Sequence, residues 1–167
     1  YFFREVLKVA GSGGETRFEL HRGNLALYTC LLLNLNVVML TPRQCYKTTS
    51  IMAFYLWGLK FGFTNVKIGM FALSEALSQE NMKRLKDLID FLPSYLKVKN
   101  KKDIDNVHTL TIATEGNSST IMTKSVGITE DMAANSARGF SFPILYYDEF
   151  AFIEQIEAHY NTAVFSY

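Results

Sequence analysis

The chain is short of the residues that staple a small protein together. Its two cysteines, Cys30 and Cys45, stand in dissimilar settings, with neither a C-x-x-C pair nor histidines at zinc spacing. That excludes a disulfide scaffold and a zinc module, and it fits unpaired thiols in a reducing compartment. Charge of one sign is lacking too: 17 basic residues meet 16 acidic ones for a net charge of +1. No broad field is present to collect nucleic acid or an anionic membrane, so any DNA contact must be local. No apolar run reaches the roughly 20 residues of a membrane span. The longest, "LALYTCLLLNLNVVMLT", is interrupted by Asn34 and Asn36 and reads as a core helix running into a core strand. Neither a transmembrane segment nor a signal peptide is expected.

What is there suffices for one core of ordinary domain size, with 167 residues of which 49% are hydrophobic. The start without Met and the end in "NTAVFSY", with no polar tail, lead us to expect a fragment of something longer. Residues 1–20 read as an N-terminal segment whose "GSGG" is a linker-like flexible turn, and residues 21–167 as the main domain. From His21 to about Leu33 the apolar residues share a helical face, and "NVVML" then has the β-branched content of a buried parallel strand. After the loop "TPRQCYK", "TTSIMAFYLWGLKFG" is helical and "VKIGMFA" is a second buried strand, which together make a βαβ unit. The clearest helix is "SEALSQENMKRLKDLIDFL", with Leu77, Met82, Leu85, Leu88 and Ile89 as its stripe and Pro93 as its stop. "HTLTIAT" and "STIMTK" predict a hairpin turning at Gly116 and Asn117, and "FPILYYDEFAF" is an apolar strand that ends on two acids. Alternating strands and helices predict an α/β layered domain with a largely parallel sheet.

Glycine is missing where one motif wants it. "TPRQCYKTT" resembles the end of a phosphate-binding loop, G-x-x-x-x-G-K-[ST], with Thr41 and Tyr46 standing in for the two glycines and Pro42, Arg43, Gln44 and Cys45 between them. In such a loop inward-facing backbone N–H groups and a helix N-terminus hold phosphates, Lys47 reaches the β/γ-phosphates, and the Thr48 hydroxyl completes an Mg²⁺ shell. By itself Lys47-Thr48-Thr49 is equally an ordinary strand-to-helix turn with a solvated lysine. "PILYYDEF" shifts the balance, because it describes a strand with Asp148 and Glu149 at the edge where α/β sheets bind ligands. Asp148 suits Mg²⁺ and Glu149 suits activation of a water. A single acid at a strand end is commonly just solvated; the adjacent pair, together with Lys47, favours an NTPase.

These residues are similar to the ATPase domain of the large terminase subunit, the DNA-packaging motor of tailed bacteriophages. "RQCYKTT" resembles that family's R-Q-x-G-K-[ST]-T loop, matching at Arg43, Gln44, Lys47, Thr48 and Thr49 and departing at Tyr46. "DFLPSYL" resembles its leucine-proline-aromatic stretch, and "NSARGFSFPILYYDEFAFI" its A-R-G turn ahead of the apolar strand and acidic pair. The resemblance implies a P-loop NTPase of the ASCE or RecA-like type, a three-layer domain with a mostly parallel central sheet, using ATP and Mg²⁺. It implies that Arg43 couples nucleotide state to movement, that Arg138 serves the ATP of a neighbouring subunit, and that Asn24, a shorter amide than the family's glutamine, reads adenine. Such a trans-acting arginine is worth about 10³ to 10⁵ in rate in other NTPases. The implied partners are double-stranded DNA, further copies forming a ring, the portal protein and the small terminase subunit, at the procapsid in the host cytoplasm and with no membrane. The family's threonine-rich coupling motif and nuclease domain are not found before Tyr167. A helicase-like DNA translocase, and a non-catalytic assembly module on a degenerate P-loop fold, are the alternatives. Lys97, Lys99, Lys101 and Lys102 read as a solvated loop or as contacts to DNA phosphates. His21, His108 and His159 read as structural or surface residues, and Phe61, Phe63, Phe140 and Phe142 as core.

Overall fold

The computed structural model describes residues 1–11, 13–42, 46–97, 100–101, 103–114 and 117–165. Arg43, Gln44 and Cys45 of the phosphate loop, Lys99 and Lys102 of the lysine cluster, and Gly116 of the predicted turn lie outside the described residues. The chain divides into two compact units, Tyr1–Gly58 with Arg84–Val98, and Leu59–Lys83 with Lys99–Tyr167.

In the first unit, β1 (Lys8–Gly11) and β2 (Gly14–Arg17) pair antiparallel, Lys8 opposite Arg17 and Gly11 opposite Gly14. Gly14 has φ of 117°, open to glycine alone, so the glycine-rich stretch is the turn of a hairpin. Leu7, Val9 and Phe18 around it are buried. Helix α1 (Arg22–Leu32) and helix α2 (Lys47–Trp57) follow. α2 is apolar around most of its circumference, and it is buried from Ser50 through Leu56, as such a helix must be. Tyr28 of α1 ties the two helices. Its ring lies 4.7 Å from Phe3 and 5.4 Å from Phe54, and its hydroxyl donates to the Ser50 carbonyl at 2.9 Å. Burial pushes the pKa of that hydroxyl up, which keeps it a proton donor.

The buried strand predicted at "NVVML" does not form. Residues 34–40 have no strand pairing, and Val38 and Leu40 are 85% and 91% exposed. β-branched residues favour an extended backbone, but a strand exists only through its ladder, and none of the described residues supplies one here.

The second unit is a four-stranded sheet in the order β4-β5-β3-β6. β3 (Lys67–Ala72), β5 (Asn117–Ser125) and β6 (Ile144–Tyr147) run parallel, and β4 (Thr109–Thr114) pairs antiparallel with β5 as the predicted hairpin. The sheet is therefore mostly parallel. Helix α3 (Glu75–Asp90) starts in this unit; α4 (Glu130–Ala137) and α5 (Ile156–Phe165) complete it. Pairing of Phe71 with both Lys124 and Tyr147 puts these three on one face, and pairing of Met70 with Thr123 and Tyr146 defines the other. The first face packs in a cluster of Phe71, Val126, Ala133, Phe142 and Ile153, with Tyr147 and Phe140 partly buried against it. α3 meets the second face, where the Ser78 and Thr123 hydroxyls lie 2.8 Å apart. Phe142 is core as predicted, whereas Phe61 is 55% exposed, a correction to its reading as core. Among the described residues no helix is long and apolar enough to cross a membrane.

Gly127 joins β5 to α4 at a point of close approach. A Cβ there would overlap Met132 Cβ and lie 2.6 Å from the Ala133 amide nitrogen, neither of which can give way without moving the helix. Gly127→Ala is expected to destabilise the protein by about 1–3 kcal/mol in urea denaturation. Gly23→Ala, which meets open space inside α1, should instead stabilise by roughly 0.5–1 kcal/mol.

Candidate functional site

The residues predicted to hold phosphate start α2. Tyr46, in the place of the second glycine, has φ of 51° and ψ of 25°, the left-handed conformation for which glycine is ordinarily used. Its ring is 66% exposed. The chain thus keeps the turn of a glycine while carrying a side chain, at a cost of about 1–2 kcal/mol. What holds it there is the first turn of α2: the Tyr46 carbonyl accepts from the Ser50 amide at 2.8 Å and from the Ser50 hydroxyl at 2.9 Å. Ser50 is in turn fixed by Tyr28. Lys47 and Thr49 are half-buried and Thr48 is buried, while Pro42 is exposed. The Thr41 hydroxyl is buried with no hydrogen-bond partner among the described residues. Asn24 is buried, and its amide nitrogen donates to the Glu19 carbonyl at 3.3 Å. Tyr46→Gly should stabilise the chain by at most about 1 kcal/mol in chemical denaturation, since relief of the left-handed strain exceeds the entropy cost of glycine; a lowered midpoint would mean that the exposed ring contributes contacts.

The acidic pair belongs to the second unit. The Asp148 amide donates to the Phe71 carbonyl at 2.9 Å, which extends the β3–β6 ladder one residue past β6. Asp148 therefore falls on the Tyr146 face of the sheet, beneath α3, and is 4% exposed. Its Oδ2 accepts from Nδ2 of Asn81 at 3.0 Å and its Oδ1 from the Tyr146 hydroxyl at 3.0 Å. Asn81 is 1% exposed, and its Oδ1 is buried with no partner among the described residues. Glu149 is exposed, with φ of 55° and ψ of 38°. Among the described residues, those with positive φ that are not glycine are Asn34, Tyr46, Asn65 and Glu149. Asparagine visits that region routinely. The remaining two, Tyr46 and Glu149, fall one in each of the two predicted motifs, and strain of this kind concentrates where function requires a particular geometry. The Asp148 carboxylate, the Tyr146 hydroxyl and the Asn81 amide are oxygen and amide groups, the donor chemistry that a hard cation such as Mg²⁺ takes, and the Oδ1 of Asn81 has no partner among the described residues.

The opposite face of β6 holds a buried histidine. His159 on α5 is fully buried, its Nδ1 lies 2.9 Å from the Tyr147 hydroxyl, its ring packs 4.2 Å from Phe71, and its Nε2 has no partner among the described residues. Burial, and secondarily the positive charge of Lys124, lowers its pKa to about 4. Folding thus keeps this imidazole neutral. The associated stability is complete above the ordinary pKa near 6.5 and is lost as pH falls from there toward about 4, because the unfolded chain takes the proton first. Unfolding free energies from denaturation at pH 7 and pH 4.5 should differ more in the wild type than in His159→Gln, by at most about 3 kcal/mol.

Arg138 is exposed just past α4, its Nη1 donating to Oδ1 of Asn135 at 2.9 Å, and Gly139 follows with φ of 79°. Lys97 and Lys101 are exposed; the Lys97 amine is bonded to the Asp90 carbonyl. A cavity of about 360 Å³ in the second unit is walled by Phe71, Met122, Phe140 and Phe142. The charged groups that line it are spent on the protein: Lys124 donates to the Ser136 carbonyl at 3.2 Å, and Glu75 lies 3.3 Å from His108.

The structure thus joins Asp148 to Asn81 and Tyr146, partners that sequence reasoning did not find, in the second unit, while Asn24, Thr41, Tyr46, Lys47, Thr48 and Thr49 belong to the first. A signal for Asn81 existed. Ser78 and Asn81 continue the α3 stripe of Leu85 and Leu88 back toward its N-terminus, and polar residues on an apolar stripe need a partner across it.

No family model matches this sequence, and no curated protein matches it at a significant level. Among solved structures the chain is similar to the large terminase from a thermophilic bacteriophage, with 16% sequence identity, a TM-score of 0.59 and a match over 89% of this chain. This chain covers 36% of that protein's length. The likeness establishes the fold: an α/β domain with a mostly parallel sheet, similar to part of a large terminase.

Proposed function

We propose that this chain is the ATP-hydrolysing motor domain of a terminase large subunit, driving double-stranded DNA into a procapsid. The observation that supports it most is the end of β6, where a buried aspartate that accepts hydrogen bonds from Asn81 and Tyr146 is followed by an exposed glutamate in a strained backbone. A solvated strand end would need neither. The fold likeness to a large terminase agrees with the proposal.

In this reading Lys47 and the N-terminus of α2 bind the β/γ-phosphates, Thr48 and Asp148 hold Mg²⁺, and Thr41, Pro42, Arg43, Gln44, Cys45, Tyr46 and Thr49 complete the loop. The cation supplies neutralisation of charge on the phosphate oxygens. Glu149 orients a water and takes its proton as the oxygen attacks the γ-phosphorus, with ADP leaving in line. Arg138, exposed on its turn, serves the ATP of a neighbouring copy in a ring, and Arg43 couples nucleotide state to movement. Asn24 contacts adenine. Portal protein, small terminase subunit and the host cytoplasm complete the setting.

Glu149→Gln should leave ATP binding intact while lowering turnover by about 10² or more; unchanged turnover removes its role. Mixing Arg138→Ala with Lys47→Ala chains should restore part of the hydrolysis if the arginine acts between copies. A wild type that binds no ATP, with binding gained in Tyr46→Gly, would instead mark a decayed fold serving assembly.

A further inference from the structure

We propose that Asn81 is a positioning residue for the divalent cation, acting through Asp148, an inference that rests on the proposed NTPase reading. The geometry is specific. Asn81 sits on α3, the helix covering the sheet face that carries Asp148, and is 1% exposed. The carboxylate oxygen of Asp148 accepts, so the Nδ2 end of the amide must be the one facing it, which settles the orientation of the side chain. Oδ1 is then left buried without a partner among the described residues. A buried acceptor left unpaired is costly, and native structures retain such an atom when something else fills it.

The Tyr146 hydroxyl approaches Asp148 from the same strand and Asn81 from the helix above, so between them they fix the plane of the carboxylate. Groups standing behind a metal-binding carboxylate set its direction and tune its affinity. Asn81 does this with its nitrogen, and its oxygen is suited to accept a hydrogen bond from a water of the cation's hydration shell, which Mg²⁺ sheds reluctantly. An asparagine that only filled space would be replaceable by leucine without loss of metal binding.

The test titrates the full chain with Mn²⁺, alone and with ADP, following water-proton relaxation. Asp148→Asn, Asn81→Leu and Asn81→Asp are compared with the wild type. Asn81→Leu is expected to weaken Mn²⁺ about 10- to 100-fold. Asn81→Asp sets a second carboxylate beside Asp148; its melting temperature should fall without metal and recover on adding Mn²⁺, whereas a purely structural asparagine would show no metal-dependent recovery. That second variant decides the matter if the leucine variant does not fold. If Asp148→Asn weakens Mn²⁺ while Asn81→Leu binds as the wild type does, or Asn81→Asp shows no recovery, the role of Asn81 is overturned and the proposed function stands. If Asp148→Asn leaves Mn²⁺ binding unchanged, Asp148 is not a cation ligand, and the proposed function loses its metal site together with this inference.

Discussion

The hydrogen bond from the Asp148 amide to the Phe71 carbonyl governs the second unit. It carries the parallel ladder one residue beyond β6, and strand alternation then determines what each neighbour faces. Tyr146 and Asp148 turn toward α3, where Asn81 meets the carboxylate; Tyr147 turns toward α5, where His159 meets its hydroxyl. Glu149 comes after the ladder has ended, in a left-handed backbone that turns it to solvent. Two adjacent acids of the same residue class are thereby given opposite surroundings, one buried and bonded to Asn81 and Tyr146, the other open. A slip of one residue in that register would exchange them.

The first unit manages a different constraint. Tyr46 adopts a backbone conformation that favours glycine, and it is held by a chain of contacts running from the Phe3–Tyr28–Phe54 rings through the Tyr28–Ser50 bond to the two bonds that Ser50 makes with the Tyr46 carbonyl. Every link after the rings is a hydrogen bond to a carbonyl at the start of α2. The absence of glycine in the loop is therefore compensated by packing several residues away, which a pattern requiring glycine has no means of registering.

How much could be read in advance follows from how local each cause is. α3 was legible because Met82, Leu85, Leu88 and Ile89 repeat with the period of a helix, and its last turn ends ahead of Pro93. β3, the β4–β5 hairpin and β6 were legible from short β-rich runs between turn residues, and the acid pair from its place at a strand end. The failures share a cause. "NVVML" has the composition of a strand and lacks the ladder, whereas the glycines of "GSGG" were legible as a turn although the strands they join are too short and weakly patterned to be read. The stripe of α3 marks Asn81 as needing a partner, but which groups Asn81 and His159 meet was not legible, because those groups lie 67 and 12 residues away in the chain, respectively.

By itself the sequence determined the α/β class, most of the element order and the residue types available for phosphate and cation chemistry, because these depend on periodicity and side-chain identity over a few neighbouring positions. Only the tertiary structure decided that Tyr46 stands in a glycine's conformation, that Asp148 is buried and Glu149 exposed, and that Asn81 and Tyr146 hold the aspartate. Those outcomes depend on which strands pair and in which register, and a free energy shared between distant residues leaves no mark on either of them alone.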